Sequence, residues 1–199
     1  MEKYFIPVAH GTLEAIVSRS PQHKGIGIVC HPHPLYGGTM SNKVVSSIVK
    51  AWQALGLSTI HFNFRGVGES TGSFGNGDGE QDDLQAVIHW AEENLGEQPI
   101  YLGGFSFGAY VALKFCQRFK PAYLLLVAPP AQYEGFMSLQ LPNCPCELIV
   151  AAQDEVVPTD QILAWASTQH FQRILNVPEA SHFFHGKLIA IREFLEVKN

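Results

Sequence analysis

The sequence holds little charge. Asp, Glu, Lys and Arg make up 16% of its 199 residues, and the formal net charge is only −5. No cluster of Lys and Arg occurs, which argues against a nucleic-acid partner. No apolar run approaches the ~18 residues of a membrane-spanning helix, so no membrane partner is expected. The start, Met1-Glu2-Lys3-Tyr4-Phe5-Ile6-Pro7, lacks the basic stretch and long apolar core of a secretory signal. Only four cysteines are present, and Cys144-Pro145-Cys146 lacks the two-residue spacer of redox and zinc motifs. Cys30 and Cys116 sit in apolar runs. These features predict a cytoplasmic protein with reduced thiols.

What is present is a large apolar fraction, 46%, distributed in short runs. Residues 1–199 are expected to form one domain. Ile6–Val8 and Leu13–Val17 read as an opening pair of strands. Gly27–Cys30, Ser58–Phe64, Ile100–Leu102, Tyr123–Val127, Leu148–Ala151 and Ile174–Val177 read as further strands. Several are continuous apolar runs, as expected where both faces of a parallel sheet are covered. Between them, apolar residues recur at helical spacing: Val44, Val45, Ile48, Val49, Trp52 and Leu55, then Leu84, Val87, Ile88, Ala91 and Leu95. Helices are also expected over Phe107–Arg118, over Thr159–Thr168, and from Leu188 to Leu195. This alternation predicts an α/β fold with a mostly parallel, doubly wound sheet and helices on both faces. The span from Ala128 to Pro145 is too short for a large cap.

Gly104-Phe105-Ser106-Phe107-Gly108 lies between an expected strand and an expected helix. In that setting the five residues make a nucleophile elbow, a sharp turn that lifts a serine hydroxyl above the sheet edge. The glycines leave room that a Cβ would fill. A serine hydroxyl needs a base, and the base needs an orienting carboxylate. Asp154 follows one later strand and His182 the next, in the order this chemistry requires. Ser106, Asp154 and His182 are therefore the expected catalytic residues. Glu155 and His185 are the alternatives. Glu155 is expected to turn away as a surface neighbour, and His185 to act as a cap, a supporting or a solvent-facing residue.

An oxyanion requires two N–H donors. Phe107, opening the helix after Ser106, supplies one. The other is expected in His31-Pro32-His33-Pro34-Leu35-Tyr36-Gly37-Gly38, where proline has no N–H to give. The His33 backbone leads and Leu35 is the reserve. A metal site on His31 and His33 is not expected, because no carboxylate lies beside them at ligand spacing. No cofactor is required. Arg65-Gly66-Val67-Gly68-Glu69-Ser70-Thr71-Gly72 lacks the Lys-Ser/Thr ending of a phosphate loop and misses the dinucleotide fingerprint. It reads as a turn, with Arg65 pairing Asp82 or Asp83. Pocket walls are expected from Leu35, Tyr36 and Phe105 on one side, and from Tyr133, Phe136, Met137, Leu139 and Leu141 on the other.

The segments His31 to Met40, Asn63 to Ser70, Gly103 to Gly108 and Ser181 to Gly186 resemble the small bacterial α/β-hydrolase superfamily proteins. These are lidless relatives of the dienelactone-hydrolase-like and serine-aminopeptidase-like branches. The resemblance implies the α/β-hydrolase fold and the same Ser106, Asp154 and His182 triad. It leaves the substrate open. Dienelactone hydrolases use a cysteine nucleophile, whereas this elbow carries Ser106. The expected activity is hydrolysis of a small-molecule acyl ester through an acyl-enzyme. Thioester or small-amide hydrolysis, or a catalytically silent binding protein of the same fold, are the alternatives.

Overall fold

The computed structural model describes residues 1–197. Eight strands form one sheet: β1 (Glu2–Val8), β2 (Gly11–Ser18), β3 (Ile26–Cys30), β4 (Ser58–Phe62), β5 (Ile100–Phe105), β6 (Tyr123–Val127), β7 (Cys146–Ala151) and β8 (Arg173–Val177). Their order across the sheet is β1-β2-β4-β3-β5-β6-β7-β8. The β1–β2 and β2–β4 pairs are antiparallel, and all others are parallel. Five helices complete the fold: α1 (Lys43–Ala54), α2 (Asp78–Leu95), α3 (Phe107–Phe115), α4 (Thr159–Ala166) and α5 (Leu188–Glu196).

Alternation along the strands divides the core in two. Leu124, Leu126, Leu148 and Val150 pack with Leu84 of α2, Val111 of α3 and Ile162 of α4. Leu125, Val127 and Ile149 face the other way, against Val45 and Trp52 of α1 and Ile191 of α5. Two glycines set how closely α1 approaches. A Cβ on Gly27 would lie 2.4 Å from the Trp52 ring, and one on Gly103 would lie 2.6 Å from it. The indole therefore fills space that any other residue at either position would occupy.

Each expected strand and helix forms, several with shifted ends. Strand β4 stops at Phe62 rather than Phe64. The Asn63 N–H still reaches the Glu14 carbonyl of β2, but the Phe64 N–H turns away to His31 Nε2. Helix α3 ends three residues before Arg118, where Gln117 and Arg118 make tighter i→i+3 bonds. Helix α4 ends at Ala166, two residues short of Thr168. Helix α2 starts at Asp78, well before Leu84. Its first turn is polar, yet Glu80 and Gln81 in it are buried, with Glu80 accepting from the Gly75 and Gly77 N–H groups. The span from Ala128 to Pro145 holds only a short 3₁₀ turn at Phe136–Ser138 and no cap.

Candidate active site

Ser106 sits between β5 and α3 at φ 53° and ψ −120°, a conformation strained for a residue with a side chain. The backbone crowds at this turn. A Cβ on Gly104 would lie 2.3 Å from Gly108, and one on Gly108 would lie 2.3 Å from the Cys30 carbonyl. Both glycines are thus required by close approach. The Ser106 N–H donates to the Val127 carbonyl at 2.8 Å, which fastens the turn to β6.

His182 follows β8 and Asp154 follows β7. The Ser106 hydroxyl lies 3.1 Å from His182 Nε2, and His182 Nδ1 lies 2.8 Å from Asp154 Oδ2. Asp154 Oδ1 accepts the Val156 and Val157 N–H groups at 2.9 and 2.7 Å, so the carboxylate cannot rotate freely. With the carboxylate as acceptor, the proton of a neutral imidazole resides on Nδ1, leaving Nε2 to accept from Ser106. The ring is only 2% exposed and packs 5.0 Å from Phe105.

Glu155 is not merely the surface neighbour its position suggests. Its carboxylate accepts the His182 backbone N–H at 2.9 Å. The loop after β7 therefore grips the histidine at both ring and backbone. Backbone bonds from Ala152 to Val177 and from Gln153 to Ala180 tie the same two segments together. His185 is exposed and lies before the start of α5, as a solvent-facing residue would.

The Leu35 N–H donates to its neighbour's imidazole, His33 Nδ1, at 3.2 Å, which removes it as an oxyanion donor. The His33 and Phe107 N–H groups have no intramolecular acceptor among the described residues. Behind them His31 is fully buried. Its Nδ1–H donates to the Pro32 carbonyl at 2.6 Å, and its Nε2 accepts from Phe64. Burial holds His31 neutral, pushing its pKa down to about 4 despite the Pro32 hydrogen bond. Both ring nitrogens are occupied, so His31 is a brace for the loop and not a metal ligand. Among the described residues, no cluster of three or more His, Cys, Asp or Glu is placed to hold an ion.

A second polar network fixes the same loop from the other side. Asn63 Oδ1 accepts the Met40 N–H at 2.8 Å, and Asn63 Nδ2 donates to Glu14 at 2.7 Å. Glu14 also accepts from the Glu69 N–H and pairs with Lys3, which in turn pairs with Glu69. Burial opposes the charge on Glu14, but the hydrogen bonds from Glu69, Lys3 and Asn63 outweigh it and bring the pKa to about 2. Arg65 pairs with Asp83 through both guanidinium and backbone, whereas Asp82 faces Arg118.

A cavity of about 340 Å³ adjoins Ser106 and His182. Pro32, His33, Tyr36, Gly37, Gly38 and Asn42 come from the loop before α1, and Val156 and Phe183 come from beside the acid and the base. Of the expected pocket walls only Tyr36 lines it. Phe105 faces the α1 and α5 side of the sheet and is buried beneath His182. Phe136 is buried 5.0 Å from Trp165. Leu35 and Met137 are exposed outside the cavity, and Tyr133, Leu139 and Leu141 pack on the core. Val156, Phe183 and Asn42 were not among the expected walls; adjacency to Asp154 and His182 is the signal that would have found the first two. Another cavity, of about 210 Å³, lies at the opposite strand ends beside Tyr101, Tyr123, Glu147 and Arg173. There Glu147 is already paired with Tyr123 and Arg173.

Residues 29–129 match the alpha/beta hydrolase fold family. The chain belongs to that family. An α/β serine hydrolase homologue from Coxiella burnetii is 46% identical, with a TM-score of 0.93 over 98% of this chain and 95% of that one. An α/β serine hydrolase without lid from Xanthomonas campestris is 38% identical, with a TM-score of 0.91 over 98% and 91%. This α/β hydrolase is therefore a homologue of lidless bacterial serine hydrolases. An uncharacterized protein of Rickettsia prowazekii is 37% identical over 144 residues, which is 69% of this chain. The match spans 60% of that curated relative's own length. Among the described residues no helix is long and apolar enough to cross a membrane.

Proposed function

We propose that this α/β hydrolase cleaves small esters through an acyl-enzyme formed on Ser106. The observation that carries the reading is the unbroken chain from the Ser106 hydroxyl through both nitrogens of His182 to Asp154, at 3.1 and 2.8 Å. His182 Nε2 takes the hydroxyl proton as Ser106 Oγ attacks the carbonyl carbon. Asp154 fixes the tautomer and stabilises the imidazolium that forms. The oxyanion accepts from the Phe107 and His33 N–H groups, which have no competing partner among the described residues. Breakdown of the tetrahedral adduct breaks the ester C–O bond, and His182 returns its proton to the departing alcohol. Water, activated by the same imidazole, then attacks the acyl-enzyme and releases the acid.

The small cavity and the lack of a cap support compact acyl groups. The test is Ser106→Ala. Turnover of a short-chain ester should drop by roughly 10⁴–10⁶-fold with the thermal midpoint retained. Hydrolysis that survives in a clean Ser106→Ala preparation overturns the reading.

A further inference from the structure

Most of the cavity beside Ser106 is apolar or backbone, and Asn42 is the residue of its wall that carries a side-chain amide. Asn42 also caps α1, its Oδ1 accepting the Val44 N–H at 2.8 Å. That bond fixes which end of the amide is which. The NH₂ end is left with two N–H donors and no intramolecular acceptor among the described residues. Asn42 is partly buried and its own backbone is tied down, the Asn42 N–H donating to Thr39 and its carbonyl accepting from Ser46. The donor is thus held in place before any substrate arrives. No acidic residue occupies the first turn of α1, so nothing there competes for the amide or opposes an incoming oxygen.

We infer that Asn42 is a specificity-determining residue that selects substrates bearing a hydrogen-bond-accepting oxygen, a carbonyl or carboxylate, a few bonds from the scissile ester. This rests on the ester-hydrolase reading of Ser106. A fixed donor in a mostly apolar wall discriminates against a purely hydrocarbon chain, because that chain strips water from the amide and returns no acceptor. The remaining walls, Tyr36, Val156 and Phe183, then enclose the carbon skeleton that carries the oxygen.

The experiment compares esters matched in chain length. On the acyl side the pair is 4-nitrophenyl hexanoate and the 4-nitrophenyl ester of monomethyl succinate. On the alcohol side it is pentyl butyrate and 2-(methoxycarbonyl)ethyl butyrate. For each pair the ratio of kcat/KM, acceptor-bearing over hydrocarbon, is measured in the wild type, in Asn42→Asp and in Asn42→Ser. Aspartate and serine both cap a helix as asparagine does, so the fold is kept while the amide donor is lost. Serine adds no charge, so a fall in both variants reports the lost donor, whereas a fall in Asn42→Asp alone reports charge repulsion and counts against the inference. Intrinsic ester reactivity cancels between the proteins. In at least one pair the ratio should fall about tenfold, the equivalent of about 1.4 kcal/mol. That pair also identifies which side of the ester the cavity holds. Ratios in both pairs that stay within about twofold of wild type overturn the inference. If Asn42→Asp does not fold, Asn42→Ser is read alone by the same criterion. Hydrolysis of these esters that persists in Ser106→Ala counts against the ester-hydrolase reading alone, so the two failures are distinct.

Discussion

Exchanging the acid for its amide separates Asp154 from Glu155, since both carboxylates touch His182 in different ways. In Asp154→Asn, the amide oxygen can still accept from Val156 and Val157, whose N–H groups demand an acceptor at 2.9 and 2.7 Å. The NH₂ end is then presented to His182 Nδ1, where the carboxylate oxygen stood at 2.8 Å. Two donors cannot face each other, so the imidazole must carry its proton on Nε2. That tautomer cannot accept from Ser106, and the imidazolium loses its counter-charge as well. The expected loss in kcat is ~10⁴-fold. Glu155→Gln keeps an oxygen for the His182 backbone N–H and leaves the ring untouched, so its cost should stay within about tenfold. Glu155→Ala removes that acceptor and should cost about tenfold, seen in kcat. The assay is kcat and KM on a short-chain ester, with thermal midpoints as the control for folding. Losses that are equal for Asp154→Asn and Glu155→Gln, or reversed, refute the assignment of Asp154 as the acid.

Three further outcomes are expected. His182→Gln should abolish turnover while His185→Gln costs little, because only His182 reaches Ser106; kcat/KM for both variants decides, and the reverse result makes His185 the base. The thermal midpoint should fall as pH drops, in two stages. Burial pushes the pKa of His31 and of His61 from 6.5 down to about 4, so the unfolded chain takes up protons first and stability declines from pH 6.5 toward 4. Glu14, held at about 2 against 4.5, adds stability that is present above pH 4.5 and is lost as pH falls toward 2. His61→Leu should flatten the first stage, since its Nδ1 has no partner to lose; a wild-type midpoint independent of pH from 6.5 to 4, or an undiminished slope in His61→Leu, contradicts this. Finally, kcat/KM should stop rising with acyl length once the cavity is filled; a continued gain of up to ~0.8 kcal/mol per CH₂ out to long chains contradicts the compact-substrate reading.

The parallel strands were legible because their residues face core on both sides, as Leu124, Leu125 and Leu126 do. The meeting of Ser106, Asp154 and His182 within hydrogen-bond reach was legible because each follows a strand end and the order is constrained. Helix α2 was read short because its first turn is held by polar burial. Glu80 on the Gly75 and Gly77 amides, and Asp83 on Arg65, leave no apolar period to detect. Phe105 was read into the pocket because it neighbours Ser106, yet strand alternation sends it to the opposite face of the sheet. The Glu155 contact arises only when the loops after β7 and β8 meet, and spacing along the chain carries no trace of it.

Fluorophosphonate treatment of the folded protein, followed by peptide mapping, asks whether Ser106 is the activated nucleophile. One covalent adduct on Ser106 is expected, formed in the wild type and absent in His182→Gln, with ester turnover lost in step with labelling. Labelling at another residue, or none on Ser106 while turnover continues, refutes that role.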